Sequence, residues 1–336
     1  MAAERRESAE SGNFSASWPS VSVVMAVLDE ERHLADAIAA ILGQDYPGEL
    51  EIVIALGPSR DRTDEIAAKL AAEHPQISTV SNPSGRTPAG LNLAVATARH
   101  PIIARVDGHS LLPAGYLKTA VALLESVGAD NVGGIMAAEG KTPFEQAVAK
   151  AMTTRLGVGP AAFHAGGKAG PADTVYLGVF RRETLLRLRG YDETFMRAQD
   201  WELNYRIRES GGLVYFSPDL RVTYRPRGSA GAVARQYFNY GRWRRLLVHR
   251  YPGSANLRYL TPPAALIAVT GGLLLAAFGR RVGWAAPAGY VASVVAGAAV
   301  TGRDLPVDAR FRLPFVYMTM HGSWAAGFLT GRPTDM

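Results

Sequence analysis

Between Val21 and Asp107 the chain repeats one phrase, a short β-branched or aliphatic run followed by a longer stretch with apolar residues at helical spacing. Val21–Val27, Glu51–Leu56, Ser78–Ser81 and Pro101–Val106 read as strands. Glu30–Leu42, Thr63–Glu73 and Pro88–Ala98 read as helices between them. Successive strands separated by single helices cannot pair as hairpins, so the pattern predicts an α/β fold: a mostly parallel sheet flanked by helices. Ligands of such sheets sit at the carboxyl ends of the strands. That rule singles out Ala26–Glu30, Leu56–Asp61 and Asp107–Ser110.

Further along, Leu117–Ser126, Arg182–Leu188, Asp200–Glu209 and Ala232–Leu247 read as helices and Leu213–Phe216 as a strand. Residues 130–180, rich in Gly and Ala, read as irregular. Residues 1–18 are polar, lack an apolar core of signal-peptide length and read as a disordered tail. The predicted organisation is therefore a tail over 1–18, an α/β domain over 19–250 and apolar helices over 251–336. The absence of cysteine excludes disulfides, cysteine nucleophiles and thiolate metal sites.

The net charge of +6 is unevenly placed. Leu220–Arg258 holds nine arginines and no acidic residue, which calls for an anionic partner. The tract leads directly into uncharged stretches, Pro262–Phe278, Val282–Thr301 and Pro314–Thr330. Those runs are close to spanning length, and flanking arginines favour the cytoplasmic side. The expectation is a chain at the cell membrane, in contact with membrane lipids, with its catalytic domain facing the cytoplasm and no role in nucleic-acid binding. Arg280 and Arg281, between the first two stretches, suit a shallow or re-entrant hairpin better than two full spans.

No G-x-G-x-x-G, G-x-x-x-x-G-K-[ST] or G-x-S-x-G motif is present, so Rossmann, P-loop and hydrolase-elbow chemistry lack their signatures. Asp107-Gly108-His109 follows a predicted strand. A carboxylate and an imidazole two residues apart suit Mn²⁺ or a similar ion with positions left for phosphate oxygens, and they also suit a plain Asp-Gly turn. Asp200 opens a predicted helix, where it could cap or serve as a general base beside Trp201. Glu202 is a first-turn acid that also favours the helix dipole. Arg235-Gln236-Tyr237-Phe238-Asn239-Tyr240-Gly241-Arg242-Trp243 mixes phosphate-binding arginines with stacking aromatics, a pattern shared by membrane-surface helices. His33, His164 and His249 lack ligand spacing and read as structural.

Taken in order over residues 20–250, these segments resemble the inverting family 2 glycosyltransferases of GT-A fold. Val21–Glu31 resembles the family's opening strand, Ser59-Arg60-Asp61-Arg62-Thr63 its S-T-D-G-T turn, Asp107-Gly108-His109 its D-x-D motif and Gln199-Asp200 its E-D pair. Asp173-Thr174-Val175, Gly178–Glu183, Leu203-Asn204-Tyr205-Arg206 and Met318-Thr319-Met320-His321-Gly322 are similar to the ExoA-type succinoglycan-biosynthesis glucosyltransferases, a membrane-associated subgroup. The resemblance implies transfer from a nucleotide-diphosphate sugar to a hydroxyl of a lipid-linked or polysaccharide acceptor, with a divalent metal (Mn²⁺ or Mg²⁺). It implies Asp200 as general base and Asp107 with His109 as metal ligands. It places the donor on Ala26, Val27, Glu30, Ser59, Asp61, Arg86 and Asp107. The acceptor or diphosphate falls to Gln199, Trp201, Glu202, Arg235, Gln236, Tyr237, Arg242 and Trp243. Three features depart from the family pattern. Leu28 stands where a base-stacking tyrosine is usual, Leu56-Gly57 where an acidic pair is usual, and no Q-x-x-R-W motif is present. Base recognition then falls to backbone groups, Asp61 or Arg86. Two rival readings are a polyprenyl-phosphate sugar synthase and a non-catalytic membrane protein that binds nucleotide sugars.

Overall fold

The computed structural model describes residues 17–331. The expected tail over 1–18 lies outside the described residues except at its end, where Trp18 meets Tyr46 edge-on at 5.7 Å.

The first half follows its hydrophobic pattern closely. Strands β1 (Val21–Val27), β2 (Leu50–Leu56), β3 (Ile77–Ser81) and β4 (Ile102–Arg105) alternate with helices α1 (Leu34–Leu42), α2 (Thr63–Glu73) and α3 (Thr87–Thr97). β1 and β2 are buried along most of their length, as strands covered on both faces by helices must be. β1 lies between β2 and β4, and β2 joins β3, all in parallel register. α4 (Tyr116–Val127) returns over the sheet.

The second half corrects the reading of 130–180 as irregular. That stretch holds β5 (Asn131–Ala138), α5 (Pro143–Met152), the short turns α6 (Arg155–Val158) and α7 (Ala162–Ala165), the two-residue β6 (Gly170–Pro171) and β7 (Tyr176–Arg181). α8 (Arg182–Arg187), α9 (Gln199–Glu209) and β8 (Val214–Tyr224) follow; β8 runs eight residues beyond the predicted Phe216 end. The sheet order is β3-β2-β1-β4-β7-β5-β8-β6. β7 is antiparallel to both β4 and β5, β5 is parallel to β8, and β6 is antiparallel to β8. The glycines of β5 answer to tight packing. A Cβ on Gly134 would collide with the Leu220 carbonyl, and one on Gly133 would lie 2.6 Å from the Tyr176 carbonyl oxygen.

Two apolar layers sandwich this sheet. One gathers Met25, Leu34, Ile38 and Leu117, the other Val24, Leu91, Ile103 and Leu203. A third core lies off the sheet, where α5 and α10 (Ala230–Arg250) meet the C-terminal helices; among the described residues α11 (Thr261–Ala277) adds no side chain to it, and α12 (Ala285–Thr301) and α13 (Val307–Thr330) do. Ser229 caps α10, its hydroxyl accepting from the Ala232 amide at 3.3 Å. α10 and α13 cross closely because a Cβ on Gly241 would strike the Trp324 carbonyl and one on Gly327 the Phe238 carbonyl. Among the described residues, two segments are long and apolar enough to cross a membrane, Leu257–Ala277 and Arg281–Thr301. The predicted third stretch belongs to α13, which buries Leu313, Val316, Tyr317 and Met320 against the protein.

Candidate active site

The carboxyl ends of β1 and β2 are laced together. Asp29, with a left-handed φ of 56°, turns the chain out of β1. Its carboxylate accepts from the Arg60 amide at 2.7 Å, and its own amide donates to the Ser59 hydroxyl at 3.2 Å. The Glu30 amide donates to Thr63 Oγ1 at 2.7 Å, and the Glu31 amide to Asp61 Oδ2 at 3.0 Å. Asp61 Oδ1 accepts from both the hydroxyl and the amide of Thr63. Desolvation is the largest single influence and raises the Asp61 pKa, but these hydrogen bonds together outweigh it and hold the group below the ordinary carboxylate value. Ser59 and Asp61 thus shape the loop with the oxygens the sequence assigned to the donor. Ala26 and Val27 end β1, and the Val27 carbonyl accepts from the Gly57 amide at 2.9 Å. Leu28 is exposed and lies against Gly57, where an added Cβ would sit 3.1 Å from Leu28 Cδ1. Arg86 is exposed at the start of α3, its carbonyl accepting from Asn82 Nδ2 at 3.1 Å.

At the end of β4 the structure joins the two carboxylates that the sequence singled out separately. Arg105, buried in the sheet, donates through Nη2 to Asp107 Oδ1 at 2.8 Å and through Nη1 to Asp200 Oδ1. Asp107 and Asp200 are 93 residues apart in sequence, yet one guanidinium spans them. Burial is the largest single influence and works against the charge of Arg105, but Asp107, Tyr191 and Tyr176 together outweigh it and raise the Arg105 pKa. Arg105 was not among the predicted site residues; the signal was available, as a charged side chain in a four-residue strand buried on both faces requires a partner.

His109 sits beside this pair, with Nδ1 2.8 Å from Glu30 Oε1. The hydrogen bond to Glu30 raises its pKa against desolvation, with a further contribution from Asp107. Among the described residues, no group of three or more His, Asp or Glu side chains is placed to hold a metal ion.

Asp200 enters through a second left-handed residue. Ala198, at φ 62°, precedes α9 and presents Gln199 and Asp200 on its first turn. A non-glycine residue in that region costs energy and marks a constrained turn. Gln199 and Glu202 point inward. Glu202 is fully buried, bound by both Nε and Nη2 of Arg206 at 2.6 Å and by the Tyr251 hydroxyl at 2.7 Å. Its carboxylate is committed to that network and does not line the cavity described next.

A cavity of about 1300 Å³ opens beside Asp200 and extends between the sheet domain and the C-terminal helices. Asp200, Trp201, Tyr237 and Trp243 face it, together with Arg197 and Arg244, which the sequence reading did not single out. Leu266, Val269, Val294, Met318 and Met320 line its far wall. Arg235, Gln236 and Arg242 stand outside this lining; Gln236 Nε2 donates to the Tyr224 and Tyr240 hydroxyls at 2.9 and 2.8 Å. Pockets for drug-sized ligands occupy about 300–1,000 Å³, so this one admits something larger.

The profile of the family described as glycosyl transferase family 2 matches residues 22–189. This chain belongs to that family. The succinoglycan biosynthesis protein ExoA of Rhizobium meliloti (strain 1021) is 31% identical over 313 residues, covering 91% of this chain and 93% of the relative. A Methanococcus voltae dolichyl N-acetyl-alpha-D-glucosaminyl phosphate 3-beta-D-2,3-diacetamido-2,3-dideoxy-beta-D-glucuronosyltransferase is 23% identical, over 72% of this chain and 77% of that one. Among solved structures, the mannosyltransferase PcManGT of Pyrobaculum calidifontis, in complex with GDP-Man and Mn²⁺, superposes with a TM-score of 0.60 at 20% identity, over 98% of this chain and 92% of that one. The chain is a glycosyltransferase of GT-A fold.

Proposed function

We propose that this glycosyltransferase works at the membrane and inverts the anomeric centre it transfers. The donor is a nucleotide-diphosphate sugar and the acceptor a hydroxyl of a lipid-linked or polysaccharide glycan. The observation that carries the reading is the bridge from Asp107 through Arg105 to Asp200, which sets a donor-side and an acceptor-side carboxylate one guanidinium apart. Asp200 takes the proton of the acceptor hydroxyl. That oxygen forms the new bond to the anomeric carbon as the bond to the diphosphate breaks on the opposite face. Arg105 keeps both carboxylates in register for the step.

Asp107 and His109 would hold a divalent cation beside the donor. One offers a hard oxygen, and the other has its Nδ1 engaged by Glu30, which directs Nε2 outward as the ligating nitrogen. When bound, such an ion supplies charge neutralisation for the departing diphosphate. The Mn²⁺ bound with GDP-Man in the similarly folded mannosyltransferase supports a divalent ion in the reaction.

The membrane reading rests on the apolar segments Leu257–Ala277 and Arg281–Thr301, with Ile267, Leu274, Leu275 and Val282 exposed along them. The arginines of α10 sit before this hairpin and favour a cytoplasmic catalytic domain. Residues 19–250 then form the catalytic unit and 251–336 the membrane-facing one.

The test is a titration of the detergent-solubilised chain with UDP-, GDP- and dTDP-sugars, with and without Mn²⁺ or Mg²⁺. Metal-dependent binding of one nucleotide is expected, with slow donor hydrolysis. A folded protein that binds none of them in either metal overturns the reading.

A further inference from the structure

The cavity wall opposite the donor loops carries a charge cluster that the transfer step does not use. Arg208 comes from α9, Arg244 from α10 and Arg258 from the 3₁₀ turn Leu257–Tyr259, and all three line the cavity with Asp173. Asp173 divides its carboxylate between two of them: Oδ1 lies 3.7 Å from Arg208 Nη1 and Oδ2 3.6 Å from Arg258 Nη2. Arg244 lies between two rings, its Cζ 4.4 Å from the centre of Trp201 and 4.4 Å from that of Tyr259. Arg258 shares the Tyr259 ring at 4.8 Å.

Three guanidinium groups around one carboxylate leave an excess of two positive charges on the wall of a largely apolar chamber. Nη1 of Arg244 and Nε of Arg208 are sealed from solvent and have no hydrogen-bond partner. A buried donor left unmatched is costly, and a charged one more so. Burial pushes the Arg244 guanidinium down to about 10, with the neighbouring Arg258 adding to the effect, so it remains a cation at neutral pH. Trp201 and Tyr259 hold the Arg244 guanidinium and Tyr259 that of Arg258, and the several N–H donors of three such side chains on one cavity wall suit a multidentate oxyanion. Beyond the cluster the lining turns apolar through Leu266, Val269, Val294 and Met318, which suits a hydrocarbon chain.

We propose that Arg208, Arg244 and Arg258 form an acceptor subsite for a phosphate or diphosphate carried on a lipid, whose hydrocarbon chain runs along the wall formed by α11, α12 and α13. The inference rests on the reading of Asp200 as the acceptor-side base and adds to it where the acceptor's anionic group is held. Asp173 fills part of the site when it is empty and sets its affinity.

The probe is farnesyl diphosphate, titrated into the full-length chain in detergent with EDTA present, so that metal-assisted binding at the donor loops is suppressed. Inorganic diphosphate and farnesol serve as the two half-ligands. Farnesyl diphosphate is expected to bind at least about ten-fold more tightly than either, and the Arg208→Gln/Arg258→Gln double variant to lose at least about ten-fold of that affinity. Asp173→Asn removes the competing carboxylate and should tighten binding several-fold, a gain that damaged folding cannot produce. Equal affinity of wild type and the double variant overturns the proposal, as does weakened binding in Asp173→Asn. Inorganic diphosphate binding as tightly as the prenyl form overturns the lipid assignment. Donor nucleotide binding with Mn²⁺, measured on the same variants, should be retained. Its absence from the wild type would count against the transferase mechanism rather than against this subsite.

Discussion

The two sides of the site hold together by different means. On the donor side, residues 28–31 and 57–63 meet through short polar side chains and backbone amides, with Asp29, Ser59, Asp61 and Thr63 each closing a loop on its neighbour. On the acceptor side, three remote segments converge by rings and guanidinium groups: Trp201, Arg244 and the adjacent Arg258 and Tyr259 stack around one chamber. Short polar links keep a loop rigid in a fixed shape, as a small and invariant group such as a diphosphate requires. Rings and long cationic side chains adapt to a larger and more varied ligand. Fixed chemistry on one side and adaptable recognition on the other is what a transferase with one donor and a bulky acceptor needs.

The largest effect should come where the two sides meet. Asp200→Asn is expected to lower transfer by about 10²–10⁴ while donor binding is retained, so turnover and nucleotide affinity are the paired measurements. Transfer that survives would favour a phosphate acceptor, which needs no base. Next, Gly241→Val or Gly327→Val should force α10 from α13 and cost about 3 kcal/mol, the upper end for overpacking, read as a lowered denaturation midpoint. A smaller loss is expected from Arg105→Lys, which keeps the charge but cannot span both carboxylates. It should reduce kcat by roughly ten-fold or somewhat more with little change in donor KM; equal changes in both would assign Arg105 to donor binding instead.

On the donor side alone the effects shrink. Leu28→Tyr restores a ring over Gly57 and should tighten nucleotide binding by about 1 kcal/mol, the lower end for a stacked base. Unchanged affinity would show that the base lies elsewhere. The smallest effect is a pH dependence. The Asp61 pKa is lowered in the folded state, so its contribution is complete above the unfolded carboxylate value and is lost as pH falls through the folded one. Thermal melts of wild type and Asp61→Asn should therefore differ at neutral pH and converge in acid.

This contrast also governs what the sequence made legible. From β1 to α4 each element buries a face of regular period, so hydrophobic spacing locates it, and Thr63–Glu73 matches to the residue. Asp107 and Asp200 stand out because each sits where an element begins or ends. Residues 130–180 were opaque because β5 and β7 carry glycines in place of apolar bulk, Gly133 and Gly134 against the Tyr176 and Leu220 backbones and Gly178 against the Asn131 and Phe180 side chains. α5 did leave a signal: Thr142 and Glu145 form a capping box, a spacing visible in the sequence. The Arg105 bridge and the Arg208–Arg244–Arg258 cluster join residues far apart along the chain, and no local pattern encodes such a meeting. Glu202 makes the same point in reverse, since its first-turn position suggested the site while its burial on Arg206 takes it away.

The glycine crossing of α10 and α13 has a mechanical consequence. With backbone against backbone at Gly241 and Gly327 there is no compressible side chain between the helices to absorb displacement. Trp243 and Arg244 follow Gly241 within one turn, and Arg244 rests on the ring of Trp201, the residue after Asp200. A shift of α13 therefore reaches α10 with little slack and passes through Arg244 to Trp201, the neighbour of the Asp200 carboxylate.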